Sequence, residues 1–219
     1  MKKEAKRSLL IALCMLTAFV FWTVAVCFID VKAIGPNDSN VGFSTLNSAV
    51  HDITGVNMTL YTITDWLGLV PLGVVMGFAV FGLVQWIKRK HLLQVDYSIF
   101  VLGGFYIVVM AFYLLFEVVV INRRPVLIQG YLEASYPSST TMLVLCVMPT
   151  SIMQFNSRIK NIVLKRCVFF VIAVFIVFMV GGRLISGVHW FSDIIGGALL
   201  SIGLVFMYRF AIAIKKSDA

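Results

Sequence analysis

A chain of 219 residues, 60% hydrophobic and 13% charged, with a mean hydropathy of +0.97, lies far from the half-apolar, quarter-charged balance of a soluble domain. That balance excludes a soluble enzyme and predicts an integral membrane protein. The net charge of +8 is scattered over the ends of apolar runs instead of gathered on a soluble face, which sets nucleic acid aside as a partner.

Six runs approach or exceed the ~20 apolar residues that one helix needs to cross a bilayer. In chain order they cover 9–29, 66–86, 99–120, 138–155, 163–180 and 190–214. The first follows the basic MKKEAKR stretch as a signal peptide would, but it is long for a cleaved apolar region and no small-residue cleavage site follows. It reads as a retained helix. Segment 30–61 is the longest polar stretch, and within it Phe43, Leu46, Val50 and Ile53 recur at helical spacing. They predict a short helix, lying on the outer membrane surface or packed on the bundle. The fourth run carries several hydroxyls and Pro149, which a membrane helix tolerates when its neighbours re-satisfy the backbone. The expected fold class is all-α, a polytopic six-transmembrane-helix bundle forming a single domain over 1–219. Cys14, Cys27, Cys146 and Cys167 sit in apolar runs with no close pair, so neither a disulfide framework nor a metal site is expected.

Six crossings put both termini on one side, with the loops around 88–91 and 156–166. That side carries all but four of the 18 Lys and Arg residues, Lys2 and Lys216 among them; the exceptions are Lys32, Arg123, Arg124 and Arg183. Basic loops are retained in the cytoplasm, so both termini are expected there and the opposite face outside the cell membrane. The basic face also suits anionic membrane lipids.

The remaining polar residues converge on the extracytoplasmic face. Arg123 and Arg124 end the third helix, PSST at 137–140 opens the fourth, and Arg183, His189 and Asp193 lie between the fifth and sixth. Ionisable groups near membrane depth are costly, and are usually paired or functional. His189 and Asp193 stand four apart, on one helical face. A carboxylate on one imidazole nitrogen fixes the tautomer and frees the other nitrogen as base or nucleophile, although such a pair also serves structure alone. The guanidiniums of Arg124 and Arg183 suit the charged oxygens of a phosphate. Pro137 suits a helix start, where Ser138, Ser139 and Thr140 form either a plain N-cap or an anion cradle at the positive end of the dipole.

These residues resemble the type 2 phosphatidic acid phosphatase superfamily, which includes membrane lipid phosphatases and soluble vanadium haloperoxidases. The family's third motif, an arginine, five residues, a histidine, three residues and an aspartate, stands here as RLISGVHWFSD at 183–193. Its first motif ends in arginine-proline, matched by RRP at 123–125, and its second, proline-serine-glycine-histidine, is approximated by PSST. The resemblance implies phosphoryl transfer to histidine and hydrolysis of the phosphohistidine by water, with no metal or cofactor. It implies His189 as nucleophile, Asp193 as its orienter, Arg183 and Arg124 as phosphate ligands, and Ser138 and Ser139 as further substrate contacts; Arg123 and Thr140, beside them, are expected to contact the substrate as well. Two positions depart from the pattern: the first motif's lysine is Glu117, and the second motif's acid histidine is Thr140.

Loss of a general acid costs about 10²–10⁴-fold in rate, but the cost depends on what leaves. A lipid alcohol has a pKa near that of water, about 16, whereas a phosphate monoester's second pKa is about 6. The expected substrate is therefore a lipid pyrophosphate of polyprenyl type, undecaprenyl pyrophosphate included, ahead of a lipid monophosphate. Glu117 is placed either to pair with Arg123 or, protonated, to act as an acid, and His51 is the other external histidine. Thr140 and Glu117 also favour a second reading, a family member that binds, transports or senses a phospholipid without turnover.

Overall fold

The computed structural model describes residues 3–218. Among them the chain forms α1 (Lys3–Phe28), α2 (Ser44–Thr54), α3 (Met58–Leu67), α4 (Leu69–Arg89), α5 (Tyr97–Val118), α6 (Ser139–Arg158), α7 (Ile162–Ile185) and α8 (Phe191–Asp218). A small antiparallel hairpin, β1 (Lys32–Gly35) with β2 (Ser39–Val41), follows α1. Each expected run contains a long helix, with two shifts of boundary. Trp66 belongs to α3, ahead of the bend at Gly68 that starts α4, and α7 runs past 180 to Ile185, which brings Arg183 into its last turn.

Among the described residues, five stretches are long and apolar enough to cross a membrane: Lys3–Phe28, Met58–Arg89, Tyr97–Val118, Ile162–Ile185 and Phe191–Lys215. Their outward faces carry Phe21, Ile107 and Val177, each at least 70% exposed, which suits lipid as the surrounding solvent. The sixth expected crossing, α6, is 20 residues long but too polar to qualify on hydropathy. It packs against α4, α5, α7 and α8, and its hydroxyls are used inside the bundle. Thr150 Oγ1 donates to the Cys146 carbonyl at 2.8 Å and Ser151 Oγ to the Met148 carbonyl at 2.7 Å, the i−4 and i−3 bonds that keep a hydroxyl satisfied in a membrane helix.

Helices α1 and α8 run antiparallel, with Gly203 against Leu16 and Trp22 Nε1 donating to the Ser192 carbonyl at 3.0 Å. Phe19, Leu102, Phe105, Met142, Leu200 and Tyr208 form the core between α1, α5, α6 and α8. In segment 30–61, α2 covers the predicted helix, but its polar side faces inward. Asn47 is fully buried and bonds the Gly42 carbonyl and Ser192 Oγ at 2.7 and 2.9 Å, while Ile53 is 85% exposed. A polar side chain thus pins α2 to the start of α8 and leaves apolar residues outward.

Lys88 and Arg89, Arg158, Lys165 and Lys215 lie at the end of the bundle where α4, α6 and α8 finish and α7 begins. Of the basic residues expected there, Lys2 and the side chain of Lys216 lie outside the described residues. This end is tied by Asp96, which accepts from Gln85 at 2.9 Å, Arg89 at 3.0 Å and Arg158 at 3.4 Å.

Candidate active site

At the opposite end, the chain between α5 and α6 doubles back as an irregular hairpin. Arg123 pairs with Ala134, the Arg124 amide donates to the Glu133 carbonyl at 3.1 Å, and the Ser135 amide to the Asn122 carbonyl at 3.0 Å. Trp190 Nε1 donates to the Arg123 carbonyl at 2.7 Å and so docks the hairpin on the start of α8. The turn from α7 into α8 needs glycine at 187, where φ is +65° and a Cβ would collide with the Gly55 carbonyl. Asp193, at the third position of α8, accepts from the Trp190 amide at 2.9 Å, one half of a capping box.

His189 is held between these pieces. Its Nδ1 lies 3.2 Å from the Ser135 carbonyl and 3.8 Å from Asp193 Oδ2; its Nε2 lies 3.4 Å from Arg124 Nη1. The Ser135 carbonyl within hydrogen-bond distance of Nδ1, with the Asp193 carboxylate just beyond it, places the proton there and leaves the Nε2 lone pair towards Arg124. Burial, and then the field of Arg124, hold His189 down at about 4, so the ring is neutral at pH 7. The expected Asp193 contact is present at ion-pair distance, and the Ser135 carbonyl shares the orienting role. Asn122, 2% exposed, fixes the aspartate in turn by donating to Asp193 Oδ1 at 3.3 Å.

Arg183 is 2% exposed, and its Nη2 donates to Asp65 Oδ1 at 2.7 Å and to Thr140 Oγ1 at 2.6 Å. Its Nε and Nη1 have no hydrogen-bond partner. Arg124 Nε lies 3.0 Å from Glu133 Oε2, but its N–H does not point at that oxygen and makes no hydrogen bond. The Tyr61 ring lies under both guanidiniums, 5.0 Å from Arg183 and 5.7 Å from Arg124. A cavity of about 630 Å³ opens on this group, lined by Tyr61, Asp65, Glu117, Arg123, Arg124, Glu133, Ser139, Thr140 and Arg183 among others. A second cavity, of about 20 Å³, is lined by His189, Ser135, Ser139, Tyr113 and Glu117 among others.

The structure therefore brings together Arg124, Arg183, Ser139, Thr140, His189 and Asp193. Ser138 is tied into the scaffold instead: it is fully buried, its Oγ accepts from the Thr141 amide at 3.4 Å, and its own amide donates to the Asp193 carbonyl at 3.1 Å. Arg123 lines the cavity, but the hairpin turns its guanidinium to the Leu132 carbonyl at 3.0 Å, so the expected Glu117–Arg123 pair is not among the described ion pairs. His51 packs on Trp190, ring to ring at 5.5 Å, with Nε2 at 3.2 Å from the Gly187 carbonyl, and lines neither cavity. Sequence reasoning missed Asp65 and Tyr61 of α3, and Asn122, Glu133 and Ser135 of the hairpin. An acidic residue at the start of an apolar run was the one available signal, at Asp65.

The family model of the PAP2 superfamily matches residues 104–215, which hold all three motif regions. The chain belongs to the PAP2 superfamily. Its fold is similar to the crystal structure of the first transmembrane PAP2 type phosphatidylglycerolphosphate phosphatase from Bacillus subtilis, with a TM-score of 0.60 and 17% sequence identity over 95% of this chain and 97% of that one. Comparison with curated proteins finds no match. Family, fold and the long apolar helices together support a multi-pass membrane protein of the PAP2 superfamily.

Proposed function

We propose that this PAP2 member cleaves a lipid pyrophosphate of polyprenyl type at the extracytoplasmic face, through a phosphohistidine on His189. The observation that carries this reading is Arg183, a buried guanidinium with Nε and Nη1 unbonded in the same cluster as a neutral histidine. Unused donors on a buried cation are costly in the empty site, and an arriving phosphate satisfies them in charge-assisted bonds. Arg124 faces the same phosphate from the His189 side. Held between the two, the terminal phosphorus meets His189 Nε2; the N–P bond forms, the bridging P–O bond breaks, and its electron pair leaves on the lipid phosphate. Asp193 and the Ser135 carbonyl stabilise the imidazolium that results, as preorganised acceptors at developing charge. Thr140 supplies no proton at neutral pH, and a lipid phosphate leaves without one.

The same reading takes the site as outside, opposite the basic end of the bundle, with α6 as the sixth crossing and residues 1–219 as one domain; the basic residues at that end support it. A separate apolar groove of about 650 Å³ lies deeper along the seam between α4 and α5, lined by Phe78, Ile99 and Gly103 among others. It supports lateral entry of the lipid chain while the head group stays at the interface. Phosphate release from purified protein is expected to be faster with a lipid pyrophosphate than with the matching monophosphate, and to vanish in His189→Ala. A faster monophosphate overturns the substrate assignment. A binder without turnover is the second reading, favoured by the commitment of Thr140 to Arg183; no release with lipid binding intact selects it.

A further inference from the structure

Thr140 cannot serve the second half of the proposed reaction, in which water must lose a proton as it attacks the phosphohistidine. Three carboxylates line the head-group cavity, and two are already committed: Asp65 to Arg183 at 2.7 Å and Glu133 to Arg124 at 3.0 Å. Glu117 has no ion-pair partner among the described residues, and it is the one carboxylate that lines both the head-group cavity and the small cavity at His189. That small cavity, about 20 Å³, has room for one water. Its polar lining supplies the partners a water needs: Ser135 Oγ, buried with no hydrogen-bond partner, the Ser139 hydroxyl and the Glu117 carboxylate.

We infer that Glu117, at the position where the family carries lysine, is the general base that activates the hydrolytic water against the phosphohistidine. This role rests on the phosphohistidine reading above. The carboxylate takes one proton from the water as its oxygen bonds to phosphorus, the N–P bond breaks, and the electron pair returns to His189 Nε2. Inorganic phosphate leaves, and the proton on Glu117 passes to bulk water through the head-group cavity. The charge reversal from lysine to glutamate thus exchanges a phosphate ligand for a base in a chain that lacks the acid–base histidine.

The test is rapid-quench labelling with a lipid pyrophosphate radiolabelled in its terminal phosphate, quenched in alkali to preserve phosphohistidine. Wild type, Glu117→Gln, Glu117→Asp and His189→Ala are compared. Glu117→Gln is expected to form the His189-dependent label at the wild-type rate, accumulate it towards one per protein, and turn over about 10²-fold more slowly or worse. Glu117→Asp is expected to recover part of the turnover. Wild-type turnover in Glu117→Gln, or loss of turnover with loss of labelling, overturns the base role and leaves the phosphohistidine standing. Phosphate release by wild type with no label in any variant overturns the phosphohistidine, and this inference with it.

Discussion

At the basic end of the bundle, Asp96, Gln85, Arg89, Arg158, Gln154, Ser98 and Tyr208 close on one another. Gln85 and Asp96 exchange two bonds at 2.9 Å, Gln154 donates to the Ser98 carbonyl at 3.1 Å and to the Tyr208 hydroxyl, and Arg158 bonds Gln154, Ser98 and Asp96. None of these side chains is among the buried polar groups left without a partner. At the other end, Arg183 Nε and Nη1, Arg124 Nε and Ser135 Oγ are all left so. Both clusters sit at helix ends and both contain arginines and carboxylates. What separates them is whether the protein itself completes the bonds, since a complete network rigidifies a fold and an incomplete one is costly until a ligand arrives.

The comparison breaks first at Arg183. Arg183→Lys loses the planar fork and the unbonded edge, so phosphate release is expected to fall about 10²–10³-fold, the cost of one preorganised donor at the reacting group. The melting temperature is expected to stay equal or rise, because Asp65 is 57% exposed and water solvates it readily, while the orphaned buried donors are gone. Detergent-phase unfolding beside the activity assay checks both. A fall in stability as large as the fall in rate would make Arg183 a structural group like Arg158.

The two ends also separate by pH. His189 is held at about 4, below its ordinary 6.5. As pH drops between those values the unfolded chain takes up the proton first. The neutral ring therefore contributes stability that is full above about 6.5 and lost progressively towards 4, on the order of 3 kcal/mol if the whole shift is realised. Asp96 is held below its ordinary 3.8, by Gln85 first and then Arg89 and Arg158, so its contribution disappears only below that value, as pH falls through the folded pKa. His189→Gln is expected to flatten the melting curve between pH 6.5 and 4, and Asp96→Asn to leave that window as it is. Equal slopes in wild type and His189→Gln would remove the buried neutral histidine.

Gln154 tests the closed end. It is 1% exposed and is shared by Ser98, Tyr208 and Arg158, so Gln154→Leu orphans buried partners and is expected to cost about 1–3 kcal/mol. The kcat for phosphate release is expected to be unchanged, because nothing in the cluster touches the cavity. A lowered kcat at unchanged stability would couple the two ends.

Much of the open end was legible because charge in an apolar chain is conspicuous. Arg123, Arg124, Arg183, His189 and Asp193 stood out by charge, the motif status of RLISGVHWFSD and RRP came from the family resemblance, and the six helical runs needed only length. What stayed hidden were residues whose role depends on a partner far along the chain. Asn47 and Asn122 are unremarkable polar residues until Ser192 and Asp193 are seen beside them, and Asp65 meets Arg183 only because α3 packs on α7. The Glu117–Arg123 pairing was a reasonable neighbour guess, undone by a hairpin that turns Arg123 towards Leu132. α6 reads as the most polar of the six runs for the same reason: its hydroxyls serve the bundle interior, which a sequence window reads as polarity.

Thr140 is where the two clusters come nearest to each other in kind, for its hydroxyl bonds Arg183 and completes part of a network that is otherwise open. A histidine at 140 would supply the missing acid, and its benefit depends on the leaving group. A monophosphate must expel an alkoxide whose conjugate acid has a pKa of about 16, so protonation removes most of that penalty; a pyrophosphate expels a phosphate of pKa about 6 and gains little. Thr140→His is therefore expected to raise the monophosphate-to-pyrophosphate ratio of kcat/KM about tenfold or more, measured with matched lipid chains at neutral pH. If both substrates accelerate equally, proton delivery limits both, and the leaving-group basis for a pyrophosphate preference is gone. If neither accelerates while binding weakens, Thr140 matters as the anchor of Arg183, and the open edge of that guanidinium depends on a hydroxyl at its closed one.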